Sequence, residues 1–243
     1  MTDFTGKTVL ITGAAGGIGT ALAEAYASSG ATLALADRED CTKLASTLPG
    51  EHRYWPLDLA DPAAISATVE AIGAAVGIDV LINNAGVGIV APAEEQSVEG
   101  WDMTQAINLR APWLVACAAL PWLKRSATGR IVNIASQAGI VAIAEHAAYG
   151  ASKAGLIGLT KVLALEWAKH GITVNAISPT VVETPMALVG WSGEKGERAK
   201  REIPVGRFAR PSEIAAAALY LSSAEAGIVT GENLVVDGGY TIR

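Results

Sequence analysis

Seven short aliphatic or β-branched runs recur along the chain: TVLIT (8–12), ATLALAD (31–37), RYWPLD (53–58), VLINN (80–84), RIVNIAS (130–136), ITVNAIS (172–178) and NLVVDG (233–238). Several are apolar at successive positions, as strands of a parallel sheet covered on both sides must be. Longer Ala- and Leu-rich stretches lie between them and predict helices starting near Gly17, Asp61, Trp101, Ala148 and Pro211. Strands alternating with helices imply right-handed βαβ units. The predicted fold is therefore α/β: one doubly wound parallel sheet of about seven strands with helices on both faces. No repeat, low-complexity linker or break in composition divides the chain, so residues 1–243 read as a single domain. One segment departs from the rhythm. Residues 181–210 carry Gly, Pro and charge without a clear strand, and are expected to form a substrate loop or lid after a strand's carboxyl end.

Composition narrows the possible partners. A net charge of −6 argues against nucleic acid or an anionic membrane surface. No apolar run is read as long enough to span a membrane, and MTDFTGKTVLITG enters the first strand without a signal-peptide pattern. The two cysteines, Cys41 and Cys117, match no metal or redox spacing and read as reduced thiols, which suits the cytoplasm. No cluster of carboxylates and histidines has metal-ligand spacing, so no catalytic metal is expected.

The candidate chemistry begins at VLITGAAGGIG. Gly13, Gly17 and Gly19 lie between the first strand and the first helix, where a tight turn and close approach of a pyrophosphate to the helix N-terminus require residues without Cβ. Asp37 ends the second strand run. A carboxylate there can accept from both adenosine ribose hydroxyls and would repel a 2′-phosphate, so NAD is expected in preference to NADP. Arg38 next to it is the counter-signal, because a guanidinium can bind a phosphate.

TGAAGGIG resembles the TGxxxGxG loop of the short-chain dehydrogenase/reductases, NNAG (83–86) their second motif, and Tyr149-x-x-x-Lys153 their catalytic pair. Ser136, thirteen residues before Tyr149, and Asn108 in INLRAP fall where that family has its other catalytic residues. The resemblance covers the whole chain and implies a Rossmann fold. It implies that Ile18, Asp58 and Leu59 join the cofactor site and that Asn84, Ala85 and Gly86 line its channel. Pro179, Val182 and Thr184 would embrace the nicotinamide amide, and Lys153 would bond the nicotinamide ribose. Thr180 departs from the family pattern, which has glycine at that position.

Physical chemistry gives the expected roles. Tyrosine ordinarily titrates near pH 10, and a cation one helical turn away favours its phenolate. In the oxidative direction Tyr149 would take the proton from a substrate hydroxyl as hydride passes to the nicotinamide, while Ser136 holds the oxygen. The small residues Ala151, Ser152 and Ala154 are expected to leave room for cofactor and substrate. Pro112, four residues after Asn108, has no N–H for the Asn108 carbonyl, which is expected to hold a water leading from Lys153 to solvent.

Gln137, Ile143, His146 and Trp191 are expected around the substrate. They resemble the pocket of the xylulose reductase branch, while SPTVVETPM and IPVGRFARPSEIA look like bacterial polyol dehydrogenases. The expected reaction is oxidation of a short polyol to a ketose. The alternatives are reduction of a 3-oxoacyl thioester on an acyl carrier protein, or a non-catalytic dinucleotide-binding regulator. APWLVACAALPWLKR and the helix after Tyr149 are apolar over more than one face, which predicts self-association, and the resemblance implies a homotetramer.

Overall fold

A computed structural model describes residues 3–243, except the side chains of Met186, Leu188 and Val189. All seven predicted strands form: β1 (Thr8–Thr12), β2 (Thr32–Asp37), β3 (His52–Pro56), β4 (Val80–Asn83), β5 (Arg130–Ile134), β6 (Thr173–Pro179) and β7 (Asn233–Val236). They make one sheet in the order β3-β2-β1-β4-β5-β6-β7, with every neighbouring pair parallel. The helices are α1 (Gly17–Ser28), α2 (Thr42–Thr47), α3 (Pro62–Val76), α4 (Val98–Gln105), α5 (Ala111–Leu123), α6 (Ala147–Trp167), α7 (Pro185–Gly190), α8 (Gly193–Glu202) and α9 (Pro211–Ser222).

The two-sided apolar pattern of the strands becomes two cores. Val9, Ile11, Leu33, Leu35, Val80 and Ile82 pack with Leu22, Tyr26 and Ile214 of α1 and α9. The intervening Leu10, Ala34, Ala36 and Leu81 pack with Ile65, Val69, Val115, Ala119 and Leu163 of α3, α5 and α6. Each fully buried Leu or Ile contributes about 1.5–3 kcal/mol. The cores leave the carboxyl ends of the strands as the edge where functional loops gather. The order reverses between β1 and β4, so the β1–α1 and β4–α4 connections diverge there and leave a cleft.

Two sequence expectations change. The segment 181–210 is mostly helical: α7 and α8 occupy it, and its return leg is tied to the body by buried Ile203 and Phe208. Their helical character is masked in the sequence because α8 has almost no apolar stripe and is held by ion pairs such as Lys200–Glu197 at 2.8 Å. The helix expected from Trp101 begins at Val98, capped by Ser97, and runs through a π-helical turn at Ala106–Arg110 into α5. The continuous helix Val98–Leu123 is therefore long and apolar enough to cross a membrane by length and composition, unlike any run read from the sequence. The apolar surface has another use: Ala111, Val115, Ala116, Ala119 and Leu123 are buried against the sheet.

Candidate active site

The β1–α1 turn is built for close approach of a ligand. Gly13 takes φ +67°, and a Cβ there would stand 2.7 Å from the Ala85 Cα. At Gly17 a Cβ would meet Thr184 at 2.8 Å, and at Gly19 it would strike the Gly13 carbonyl. At Gly16 the nearest atom is 3.5 Å away, so this residue leaves open space over the N-terminus of α1. Gly16 is the N-cap residue and no side chain of the described residues caps α1. Its first N–H groups thus face the cleft in the manner suited to a pyrophosphate.

Asp37 stands at the far side of that turn. One carboxylate oxygen accepts from the Ala15 N–H at 2.9 Å and the other from the Glu39 N–H at 3.1 Å. It therefore shapes the glycine loop as well as facing the cleft, which it lines with Arg38, Asp58 and Leu59. Asp58 accepts from the Ala60 N–H at 2.9 Å. On the opposite wall the Asn84 amide donates to the carbonyls of Thr12 and Gly13, at 3.0 and 2.9 Å. The Thr12 hydroxyl accepts from the N–H groups of Asn84 and Ala85. Thr12 was missed from sequence, although a hydroxyl at the end of a buried strand is a signal that something must satisfy it. The cleft encloses about 460 Å3 and also contains Gly13, Gly17, Ile18, Gly19, Ala85 and Gly86. Its open helix terminus, its carboxylate and its Cβ-free turn fit a dinucleotide.

A second cavity of about 290 Å3 adjoins the cleft and shares Ile18, Asn84, Gly86 and Thr184 with it. Ser136, Gln137, Ile143, His146, Tyr149, Lys153, Pro179, Val182 and Trp191 all line it, so the fold brings the predicted catalytic and substrate residues together. Asn108 lies behind it, fully buried. Its amide donates to the Val87 carbonyl at 2.9 Å and to the Ser152 hydroxyl at 3.1 Å, and its oxygen accepts from the Val87 N–H at 2.8 Å. It thereby clamps the chain after NNAG against α6. The π-helical turn containing Asn108 is closed by the Ala111 N–H donating to the Ala106 carbonyl. The bulge falls where Pro112 denies the helix a donor.

Tyr149 and Lys153 project from one face of α6, as their spacing requires. The Lys153 ammonium is buried, 5.7 Å from the centroid of the Tyr149 ring, and donates to the Ile134 carbonyl at 2.7 Å. Burial pushes it down to about 8. Burial also raises the Tyr149 phenol, and its hydrogen bond with Ser136 works in the opposite direction. Desolvation is the larger of the two effects, so the phenol stands above its ordinary value. Ser136 also accepts from the Ala138 N–H at 3.1 Å, which fixes the Gln137–Gly139 turn.

The small residues of HAAYGASKAG serve a different purpose from the one expected. Ala151 and Ala154 point outward. Ser152 is buried and donates to the Tyr149 carbonyl at 2.7 Å. Gly150 comes within 3.0 Å of the Ala138 carbonyl and Gly155 within 2.8 Å of Leu109, measured from the Cβ each would carry. Smallness here lets α6 approach the Ser136 turn and the π-helical turn. Gly139, which sequence reasoning passed over, is the counterpart: a Cβ on it would lie 2.7 Å from the Lys153 carbonyl carbon.

The substrate-side residues are held individually. His146 Nδ1 donates to the Ala144 carbonyl at 2.6 Å, so in the neutral ring Nε2 is the acceptor. The ring stands edge-on to Tyr149, with centroids 5.8 Å apart. The preceding Glu145 has φ +67°, the left-handed region, where its carbonyl receives the Ala91 N–H. Trp191 lines the cavity while packing against Phe208 at 6.5 Å and under the Lys195 ammonium at 5.0 Å. It is both a loop anchor and a wall. Thr184 caps α7 by accepting from the Ala187 N–H at 3.2 Å.

Comparison with known proteins agrees with this geometry. Residues 13–241 match the family model described as Enoyl-(Acyl carrier protein) reductase, of the short-chain dehydrogenase type. The chain is 49% identical over 98% of its length to the D-threitol dehydrogenase of Mycolicibacterium smegmatis, covering 94% of that protein. It is 43% identical over 99% of its length to the NAD-dependent glycerol dehydrogenase of Listeria innocua, covering 96% of it. Among solved structures, a protein from Beutenbergia cavernae proposed to be an NAD(P)-dependent gluconate 5-dehydrogenase, with NADP bound at low occupancy, superposes with a TM-score of 0.95 at 36% identity, 99% of each chain being covered. The chain belongs to the short-chain dehydrogenase/reductase family, oxidoreductases that act on CH–OH groups with a nicotinamide dinucleotide.

Proposed function

We propose that the protein oxidises a short polyol to a ketose with NAD. The observation that carries this reading is the cavity beside the cofactor cleft. At about 290 Å3 it is small, and it gathers Ser136, Gln137, His146, Tyr149 and Thr180 on its wall. Pockets for drug-sized ligands span about 300–1,000 Å3, so a compact substrate with several hydroxyls suits it. The names of the threitol and glycerol dehydrogenases support the same substrate class. Asp37 supports NAD, although the Beutenbergia cavernae relative holds NADP and Arg38 adjoins the cleft.

The nicotinamide, when bound, supplies a hydride acceptor. Ile18, Asn84, Gly86 and Thr184, where cleft and cavity meet, together with Lys153, Pro179 and Val182 of the cavity, would hold its ring end. Tyr149, as phenolate, accepts the proton of the substrate hydroxyl. Ser136 donates to the substrate oxygen and keeps it against the phenol. Lys153 supplies positive charge 5.7 Å from the Tyr149 ring, and the Asn108 carbonyl, to which Pro112 can give no N–H, would hold a water leading from Lys153 to solvent. Self-association into a homotetramer through the exposed Trp113, Val162 and Leu165 of α5 and α6, and a cytoplasmic site of action for a chain with two free cysteines, complete the reading.

The competing substrate is a 3-oxoacyl thioester, because the chain is also 39% identical over 98% of its length to a 3-oxoacyl-[acyl-carrier-protein] reductase of Thermotoga maritima. Initial rates with three- to six-carbon polyols, with NAD and NADP in parallel, and with an acetoacetyl thioester and NADPH, decide between them. Polyol turnover with NAD is expected. Activity confined to the thioester overturns the reading, and preference for NADP overturns its cofactor. Light scattering that gives a monomer removes the tetramer.

A further inference from the structure

Two polar side-chain atoms of the cavity wall are buried without a hydrogen-bond partner among the described residues: Oε1 of Gln137 and Oγ1 of Thr180. The residues are only 5% and 6% exposed. They come from adjacent strands, for Thr180 directly follows β6 and Gln137 follows β5, with Ile134 and Ile177 in register. Backbone geometry does not explain Thr180. Its N–H donates to the Val236 carbonyl at 3.2 Å, and that bond would survive any side chain. Packing does not explain the hydroxyl either, since valine has the same shape and carries no polar atom to strand. A hydroxyl kept buried and unbonded destabilises the fold unless something else completes its bonds.

We propose that Thr180 determines substrate specificity, its hydroxyl bonding a substrate hydroxyl on the carbon next to the reacting one, with Gln137 serving the same polar end of the substrate. This rests on the polyol reading and sharpens it: the substrate must be a vicinal diol or a longer polyol, not simply a small secondary alcohol. Discrimination of this kind is strong because an analogue without the hydroxyl leaves a buried protein group unpaired.

The test uses the intact enzyme with saturating dinucleotide and a matched pair, butane-2,3-diol and butan-2-ol, together with glycerol and threitol. Wild type is expected to prefer the diol by about tenfold or more in kcat/KM. Thr180→Val should lower kcat/KM for the diol and polyols by about ten- to a hundredfold, chiefly through KM. It should change butan-2-ol by less than about twofold, and Thr180→Ser should restore most of the loss. KM for the dinucleotide should not move.

Equal losses on both alcohols, no loss on either, or a raised dinucleotide KM with an unchanged diol preference would each overturn the proposal. Thr180→Ser and the wild-type diol preference keep it falsifiable if Thr180→Val does not fold. Wild-type turnover of butan-2-ol without any diol or polyol turnover overturns both this inference and the polyol reading. Polyol turnover that Thr180→Val leaves intact overturns this inference alone.

Discussion

The cofactor cleft and the substrate cavity sit side by side on one sheet edge, yet they differ in how completely their polar groups are satisfied. In the cleft Asp37, Asp58, Asn84 and Thr12 all have backbone partners within the protein. In the cavity Ser136, His146 and Lys153 are bonded within the protein too, but Gln137 and Thr180 keep polar atoms that no group of the described residues meets. The cleft is therefore preorganised: its shape is fixed by internal bonds, and the ligand adds to them. The cavity is completed only by what enters it, which is where discrimination between alcohols is strongest.

The largest test of that division is Tyr149→Phe. It removes the proposed proton acceptor without disturbing the cleft, so turnover should fall by about 10²–10⁴-fold while the Kd for NADH, from a fluorescence titration, stays within about twofold. A Kd that rose in step with the lost turnover would show that the two sites are not separable. The same residue predicts opposite pH trends in the wild-type enzyme. Oxidation requires the phenolate and should rise with pH, whereas ketone reduction requires the phenol and should fall. Because burial holds Tyr149 above its ordinary value, protonation of the phenol limits oxidation at neutral pH unless the bound cofactor offsets it.

Asp37→Ser tests the other side of the comparison, with a smaller effect. It removes the carboxylate proposed to face the ribose and one bond to the glycine loop. The ratio of kcat/KM for NAD to that for NADP should fall about ten- to a hundredfold, consistent with the loss of charge-assisted hydrogen bonds. KM for the alcohol, at saturating cofactor, should change by less than about threefold. A comparable rise in the alcohol KM would mean that the loop shape set by Asp37 propagates into the cavity.

What the sequence revealed follows the same boundary. Strands with apolar residues on both faces, a glycine turn and an acidic residue one strand later are local patterns, and each formed where expected. Tyr149 and Lys153 were legible because four residues of helix put them on one face. Gly139, Thr12 and the proposed role of Thr180 were not, because each acts through a segment distant in the chain: α6, the β4 turn and the cavity wall. Two helices, α2 and the lid helix α8, escaped for another reason. α2 buries no residue and α8 only Gly196, so neither leaves the apolar stripe by which a helix is recognised. The Ala and Gly residues around Tyr149 were visible but suggested ligand space, when most of that smallness brings backbones together.

The smallest expected effect concerns how the lid side of the cavity is fastened. Arg207 donates twice to Glu213, at 2.8 and 2.7 Å, and Glu213 also accepts from the Arg210 N–H at 2.8 Å at the start of α9. These bonds hold the return leg of the segment that carries Trp191, and they depress the Glu213 carboxyl to about 2. A carboxyl lowered in the folded state stabilises above its unfolded value, near 4.5, and that contribution disappears as pH falls toward 2. Glu213→Gln lacks it throughout. The Tm gap between wild type and variant should be widest above pH 4.5 and close on acidification, and it should be modest because both side chains are partly exposed. At neutral pH the variant should raise the alcohol KM about two- to threefold and leave the NAD KM unchanged, since an exposed ion pair contributes little. An effect on NAD rather than on the alcohol would place this ion pair with the cleft, and the division between the two sites would have to be drawn elsewhere.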